Sequence, residues 1–191
     1  MHGKRPFVVY HLLLSEGTTE FNIFAYLTKN KFRTAFSASS VKFSDKVEII
    51  KNGNQVVSQG ILNGVGSLGH FNSNYNAIKA KYPREKLFFI IDKDLDDSVD
   101  IGNIIITSGD LVQFLEYNSE HLLLKLAGKN PLEPTDFNNL KDFRDYTKAE
   151  FQNKFGMKTC ELKDVDFDTI FNNLTDDQIK NELSELFGTI I

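Results

Sequence analysis

The sequence predicts an α/β protein with a mostly parallel sheet flanked by helices. Strand and helix patterns alternate along the first two thirds of the chain, an order typical of parallel sheets with helical crossovers. Two strand patterns, at residues 7–15 and 86–91, are continuous apolar runs and therefore indicate strands that are buried on both faces. The chain of 191 residues is 41% hydrophobic and 25% charged, so it has enough apolar side chains to build one such core.

The predicted elements follow from periodicity and turn signals. In chain order they are a strand (7–15), a helix (21–27), a hairpin (41–58), a helix (70–82), two strands (86–91 and 103–107) and a helix (110–127). The first helix places Phe21, Phe24 and Leu27 near one face. The hairpin is expected because short apolar runs flank an Asn-Gly-Asn turn signal at 52–54. Pro83 ends the second helix, because proline cannot continue one.

The second half of the chain is predicted to be richer in helices. Residues 103–107, Asn-Ile-Ile-Ile-Thr, predict a strand, and Gly128 would end the helix that follows it. From Pro131 onward only helical patterns recur. We therefore expect a domain over residues 1–130 with an insertion at about 31–60, and a helical extension over 131–191 that packs on the same domain.

The composition excludes several classes of protein. Cys160 is the only cysteine, which rules out an intrachain disulfide and a cysteine-rich zinc site. The chain has no 18-residue apolar run, and residues 1–15 lack the features of a signal peptide. We therefore expect a soluble protein of the cytosol that does not act on membranes.

The net charge of −4 hides an uneven distribution along the chain. Residues 1–86 contain 12 Lys and Arg against 5 Asp and Glu, whereas residues 87–191 contain 10 against 21. Such asymmetry is compatible with a basic surface for a polyanion beside an acidic patch. The alternative is that the two halves interleave and their charges mix on the surface of the folded protein.

Carboxylates follow both of the apolar strands at the point where each strand pattern ends. Glu16 follows the first strand, with Glu20 one helical turn later, and Asp92 and Asp94 follow the strand at 86–91. Residues i and i+2 of a strand face the same side, so Asp92 and Asp94 are expected to reach one ion. Hard cations such as Mg²⁺ prefer oxygen ligands. The alternatives are a solvated acidic loop for the two aspartates and a helix cap for Glu20.

The combination of these motifs resembles the Toprim domain of topoisomerases, bacterial primases, recombination proteins and nucleases. The matching segments are LLSEGTTE (residues 13–20), GVGSLG (64–69) and LFFIIDKD (87–94). The resemblance covers about residues 6–128 and implies a Rossmann-like sheet with metal at its carboxyl edge. The hairpin expected near residues 41–58 departs from it and is an elaboration on the minimal domain. The spacing of two glutamates in the first motif is most similar to the OLD-related and RloB-like Toprim proteins, which are commonly nucleases linked to phage defence or mobile elements.

The resemblance also implies roles for the acidic residues. Glu16 would act as general base or acid or as a metal ligand, Asp92 and Asp94 would hold Mg²⁺ or Mn²⁺, and Glu20 would assist. The chain lacks the fused ATPase of OLD proteins, so an ATPase would be a separate partner. The downstream lysine or acid of many Toprim nucleases has no aligned counterpart here, although Lys125 and Glu116 are candidates.

Glycines and basic residues are the candidates for binding the nucleic-acid backbone. Backbone N–H groups of glycine-rich turns hold phosphate, and lysine and arginine attract it. The candidate residues are Gly17, Gly64, Gly66, Lys79, Lys81, Arg84 and Lys93. The alternative for the basic residues is that they are ordinary solvated side chains at helix ends and turns.

The function expected from these observations is metal-dependent hydrolysis of phosphodiester bonds in DNA or RNA by a stand-alone Toprim protein. A second possibility is a non-catalytic module of the same fold that binds an ATPase partner or nucleic acid. A third is a metal-dependent phosphohydrolase with Asp92 as nucleophile, which the absence of clear downstream Lys and acid motifs disfavours. The sequence leaves open whether the protein forms oligomers.

Overall fold

The computed structural model describes residues 11–31, 41–42, 50–51, 55–56, 67–93 and 97–183 of the chain. The strands are β1 (His11–Ser15), β2 (Val41–Lys42), β3 (Ile50–Lys51), β4 (Gln55–Val56), β5 (Lys86–Asp92) and β6 (Leu111–Leu115). The α-helices are α1 (Thr18–Tyr26), α2 (Leu68–Lys81), α3 (Ser98–Thr107), α4 (Ser119–Leu126), α5 (Leu140–Phe155), α6 (Asp164–Phe171) and α7 (Asp176–Glu182). The helix predicted at 70–82 and the strand predicted at 86–91 are confirmed, and their ends differ by at most two residues.

The main sheet has the strand order β2-β1-β5-β6, and every neighbouring pair in it is parallel. Since β2 contributes only two residues, β1, β5 and β6 make most of the pairing. The predicted α/β class with a parallel sheet is therefore confirmed. Separately, β3 pairs with β4 in antiparallel orientation where the sequence predicts a hairpin, and the intervening residues 52–54 lie outside the described part of the chain.

Helices cover both faces of the sheet, which explains the continuous apolar pattern of β5. Leu87, Phe89 and Ile91 belong to one core cluster with α2 and α3. Phe88 and Ile90 point to the opposite face and pack with α1 and with α4 to α7. All five side chains are fully buried. A half-buried strand would have needed a polar residue at every second position.

The predicted order of elements between residues 98 and 115 was wrong. The strand expected at 103–107 belongs to helix α3, and the start of the helix expected at 110–127 is strand β6. In α3 the buried positions are Ser98, Ile101, Gly102 and Ile105, which is helical spacing. The three isoleucines favour a strand by propensity, but burial of one helical face on the sheet overrides that preference.

The helices of the C-terminal segment pack on the same core as α1. Tyr26 of α1 donates its hydroxyl hydrogen bond to Asp168 of α6 and stacks on Phe171, with 5.6 Å between the ring centroids. Phe167 and Ile170 complete the contact with α1. Among the residues that the structure describes, no helix has both the length and the hydrophobicity that crossing a bilayer requires.

Candidate functional site

The carboxyl ends of β1 and β5 lie at the topological switch point of the sheet. These two strands are neighbours, but the chain leads from β1 to β2 on one side and from β5 to β6 on the other. The helices that follow adjacent strands at such a topological switch point diverge, and ligands of open α/β sheets bind in the gap. The residues that directly follow β1 and end β5 are Glu16 and Asp92.

Glu16 and Asp92 are in direct contact although they are 76 positions apart in the chain. The backbone N–H of Asp92 donates to Oε2 of Glu16 at 3.1 Å. The backbone N–H of Glu16 donates to the carbonyl of Ile90 at 3.0 Å, so the β1–β5 ladder continues into the first acidic residue. Both acidic residues are partly exposed. The structure therefore brings together the first member of each predicted acidic pair at the edge of the sheet.

Three predicted site residues lie outside the described part of the chain. These residues are Asp94, Gly64 and Gly66. Within the residues that are described, no three acidic, histidine or cysteine side chains lie close enough together to hold a metal ion.

Glu20 turns back onto the start of its own helix and into the protein interior. Its side chain is 4% exposed, and Ser119 of α4 donates its hydroxyl hydrogen bond to Oε1 at 2.6 Å. Burial raises the pKa of the Glu20 carboxyl, and the hydrogen bonds from Ser119 and from the backbone of Gly17 and Glu20 oppose that rise. The hydrogen bonds from the backbone of Gly17 and Glu20 are those of a helix cap, which is the alternative to metal binding for Glu20. The sequence carries no signal for its partner Ser119, because that contact joins two helices.

Gly17 leaves room for this buried carboxylate. A Cβ atom at position 17 would lie 2.6 Å from Oε2 of Glu20, which is shorter than any ordinary contact. Gly17 is the N-cap of α1 and has an extended backbone, so space rather than backbone strain explains the glycine. The glycine of the motif therefore accommodates Glu20 in this structure.

Glu116 lies at the carboxyl end of the next strand. Leu115 pairs with Asp92, so Glu116 follows β6 beside the end of β5. Lys125 of α4 donates to Oε2 of Glu116 at 2.8 Å, and this hydrogen bond lowers the pKa of the Glu116 carboxyl. Tyr117 then turns the chain into α4 with a φ of 71°. The two downstream candidates of the sequence are therefore partners, at the same edge of the sheet as Glu16 and Asp92.

The predicted basic residues are divided between opposite ends of the sheet. Lys79, Lys81 and Arg84 lie at the end of α2 and in the turn that leads into β5, whereas Lys93 directly follows Asp92. The seven residues of β5 separate the two ends by about 20 Å at roughly 3.3 Å per residue. Of these four basic residues, only the exposed Lys93 is therefore next to the acidic residues.

Lys79 has a partner within the protein. Its ammonium nitrogen lies 3.0 Å from the buried carboxylate of Asp110, which also accepts hydrogen bonds from Tyr75 and from the backbone of Leu87. A phosphate contact at Lys79 would compete with this ion pair.

Compared with models of protein families, with curated proteins and with solved structures, the chain matches none of them. Interpretation of the site therefore depends on its own geometry.

The residues at the carboxyl edge of the sheet suit chemistry on an anionic substrate that is bound together with a divalent cation. Carboxylates that meet at one edge repel each other, and a bound cation relieves that repulsion. The exposed Lys93 adds a positive charge at the same edge, and Lys125 neutralises Glu116. Two acidic residues at a switch point, with basic residues beside them, are the groups that a phosphate ester bound through a divalent cation requires.

Proposed function

We propose that this chain is a metal-dependent nuclease with a Toprim-like fold, which hydrolyses phosphodiester bonds of DNA or RNA. The observation that carries the proposal is the contact between Glu16 and Asp92 at the switch point of a parallel sheet. Glu16 of the first motif and Asp92 of the second come from distant parts of the chain, so their meeting is a property of the fold. The resemblance to Toprim proteins supplies the reaction class.

The oxygen donors at this edge fit Mg²⁺ or Mn²⁺. Mg²⁺ is usually held in proteins by one or two carboxylates and keeps several waters, so Glu16 and Asp92 suffice as ligands, and Asp94 would add a third. Glu16 and Asp92 would hold such an ion, which would supply the positive charge that polarises a phosphate, activates water and stabilises a leaving oxygen. Glu20 is the least suited of the four predicted ligands, because its carboxylate is already held by Ser119.

The chain's own residues would position the substrate and move protons. Glu16 is partly exposed and is held in place by the Asp92 N–H, so we assign it the transfer of a proton from the attacking water. Lys93 would attract the phosphate backbone next to Asp92. The pair of Glu116 and Lys125 would bound the site on the β6 side.

The test is cleavage of plasmid DNA, single-stranded DNA and RNA in the presence of Mg²⁺ or Mn²⁺. We expect Asp92→Ala and Glu16→Gln each to lower the cleavage rate by about a hundredfold or more, a loss typical of removing a general acid–base group. Asp100→Asn is the matched control, because Asp100 is an exposed acid in the first turn of α3. Cleavage that survives both active-site substitutions would show that the site lies elsewhere.

A non-catalytic module that binds an ATPase partner or nucleic acid is the second candidate. It is favoured by the engagement of Glu20 with Ser119, and by the absence, among the described residues, of three acidic, histidine or cysteine side chains close enough together to hold a metal ion. Calorimetric titration with Mn²⁺ separates the candidates. Binding that Asp92→Ala abolishes supports the nuclease, whereas a stable complex with an ATPase and no metal binding supports the module. A role in phage defence or in a mobile element is part of the nuclease proposal.

A further inference from the structure

An open cavity of about 400 Å³ lies beside α5, and none of the proposed metal ligands lines it. Its volume falls in the range of small-molecule sites, roughly 300–1,000 Å³. Its walls come from one face of α5, from the short 3₁₀ turn Thr159–Glu161 and from the start of α4. The segment after residue 130, for which the sequence predicts no chemistry, therefore builds most of this cavity.

The inner end of the cavity holds a buried carboxylate. Glu120 is 8% exposed, and Thr159, which is 6% exposed, donates its hydroxyl hydrogen bond to Oε1 at 2.7 Å. Among the described residues no cation forms an ion pair with Glu120. The charge of Glu120 also raises the pKa of the neighbouring Glu20, after the larger effect of burial. A carboxylate accepts several hydrogen bonds, so Glu120 can accept others from a ligand in addition to the one from Thr159.

The rim of the cavity has the opposite charge. Lys148 and Lys158 line it, and within the described part of the chain neither forms an ion pair. Phe151 of α5, which is 1% exposed, contributes an apolar edge to the lining. A ligand that matches these groups has hydrogen-bond donors at its inner end, a flat apolar body, and an anionic group at the rim.

We propose that this cavity binds a nucleoside monophosphate with a guanine base. An ionised carboxylate only accepts hydrogen bonds, and guanine presents a ring N–H beside an amino group, which are two adjacent donors for Glu120. Uracil presents its ring N–H between two carbonyl oxygens, which the carboxylate repels. The phosphate would lie against Lys148 and Lys158.

The position of Cys160 provides a test on the unmodified protein. Cys160 is exposed and lines the cavity. Because it is the only cysteine of the chain, the rate of thiol labelling reports on the accessibility of this cavity. We expect saturating guanosine monophosphate to slow labelling at least fivefold, and uridine monophosphate and inorganic phosphate at the same concentration to leave the rate within twofold. Equal protection by all three, or protection by none, overturns the proposal.

Calorimetry on variants tests the two ends of the ligand separately. Glu120→Gln should weaken guanosine monophosphate at least tenfold, and the double substitution Lys148→Ala with Lys158→Ala should weaken it while leaving guanosine unchanged. Lys129→Ala is the control, since Lys129 is exposed and does not line this cavity. An affinity that is unchanged in Glu120→Gln overturns the proposal. If Glu120→Gln does not fold, the labelling comparison on the unmodified chain decides.

Discussion

Replacement of Asp110 by alanine tests the interpretation that the buried hydrogen bonds of Asp110, more than its ion pair with Lys79, stabilise this end of the sheet. Asp110 is 5% exposed and accepts hydrogen bonds from the Tyr75 hydroxyl at 2.7 Å and from the Leu87 N–H at 3.0 Å. Its carboxylate also lies 3.0 Å from the Lys79 ammonium. Burial and the nearby carboxylate raise the pKa of Tyr75 to about 12, so its hydroxyl remains a donor at any working pH.

The expected loss follows from the donors that Asp110→Ala leaves behind. A buried donor without an acceptor costs about 1–3 kcal/mol, and both Tyr75 and the Leu87 N–H are buried. The Lys79 side chain is 32% exposed, so it reaches water and adds little. We therefore expect a loss of about 2–6 kcal/mol, which is a large part of the roughly 5–15 kcal/mol that stabilises a typical domain.

The assay is equilibrium unfolding in urea, with Lys79→Met and Tyr75→Phe as companion variants. Lys79→Met should cost less than about 1 kcal/mol, because a partly exposed ion pair contributes little. Tyr75→Phe should cost about 1 kcal/mol, the usual net contribution of one hydrogen bond. If Asp110→Ala costs no more than Lys79→Met, the buried hydrogen bonds are not the source of stability at this end of the sheet.

Three further predictions concern close contacts and a buried histidine. Gly102→Ala should lower stability by about 1–3 kcal/mol in urea unfolding, because its Cβ would lie 2.5 Å from Cζ of Phe114; an equal loss in a Phe114→Leu background would contradict this cause. Gly17→Ala should lower the melting temperature by displacing the Glu20 carboxylate, whereas the same change in a Glu20→Ala background should be nearly neutral. Burial lowers the pKa of His121 below its ordinary value near 6.5, so the unfolded chain takes up this proton first as the pH falls. The urea concentration at the unfolding midpoint should therefore decrease as the pH falls below about 6.5. His121→Phe should weaken this dependence of the midpoint on pH between pH 7.5 and 5.5, and an unchanged dependence would exclude His121 as its source.

The sequence alone predicted the parallel sheet and the acidic residues at its carboxyl edge. Strand β5 is apolar without interruption because helices cover both of its faces, so its position and the place of Asp92 follow from local pattern. Glu16 was predictable for the same reason, since it follows β1 directly. That Asp92 donates its backbone hydrogen to the Glu16 carboxylate is a detail that depends on strand order, which local pattern does not encode.

The order of elements at residues 98–115 shows where local pattern fails. Asn103-Ile-Ile-Ile-Thr107 favours a strand by its β-branched residues, yet it lies in α3 because Ile101 and Ile105 bury one helical face on the sheet. The overlooked signal is the Ser-Gly-Asp turn at residues 108–110, where Gly109 has a φ of +79°. Because the strand is Leu111–Leu115, Glu116 follows the end of a strand at the edge of the site and does not lie within the helix that the sequence predicts there.

The roles of individual charged residues were decided by tertiary structure. A lysine in the last turn of a helix and a glutamate in a first turn have the same sequence signature whether they bind a ligand or stabilise the fold. Asp110, which comes from a distant part of the chain, pairs with Lys79, and Ser119 in another helix holds Glu20. Local sequence therefore determines where the acidic edge of the sheet lies. Which charges remain available at that edge depends on partners that only the folded chain brings within hydrogen-bonding distance, because such electrostatic contacts act over a few ångströms in space and not along the sequence.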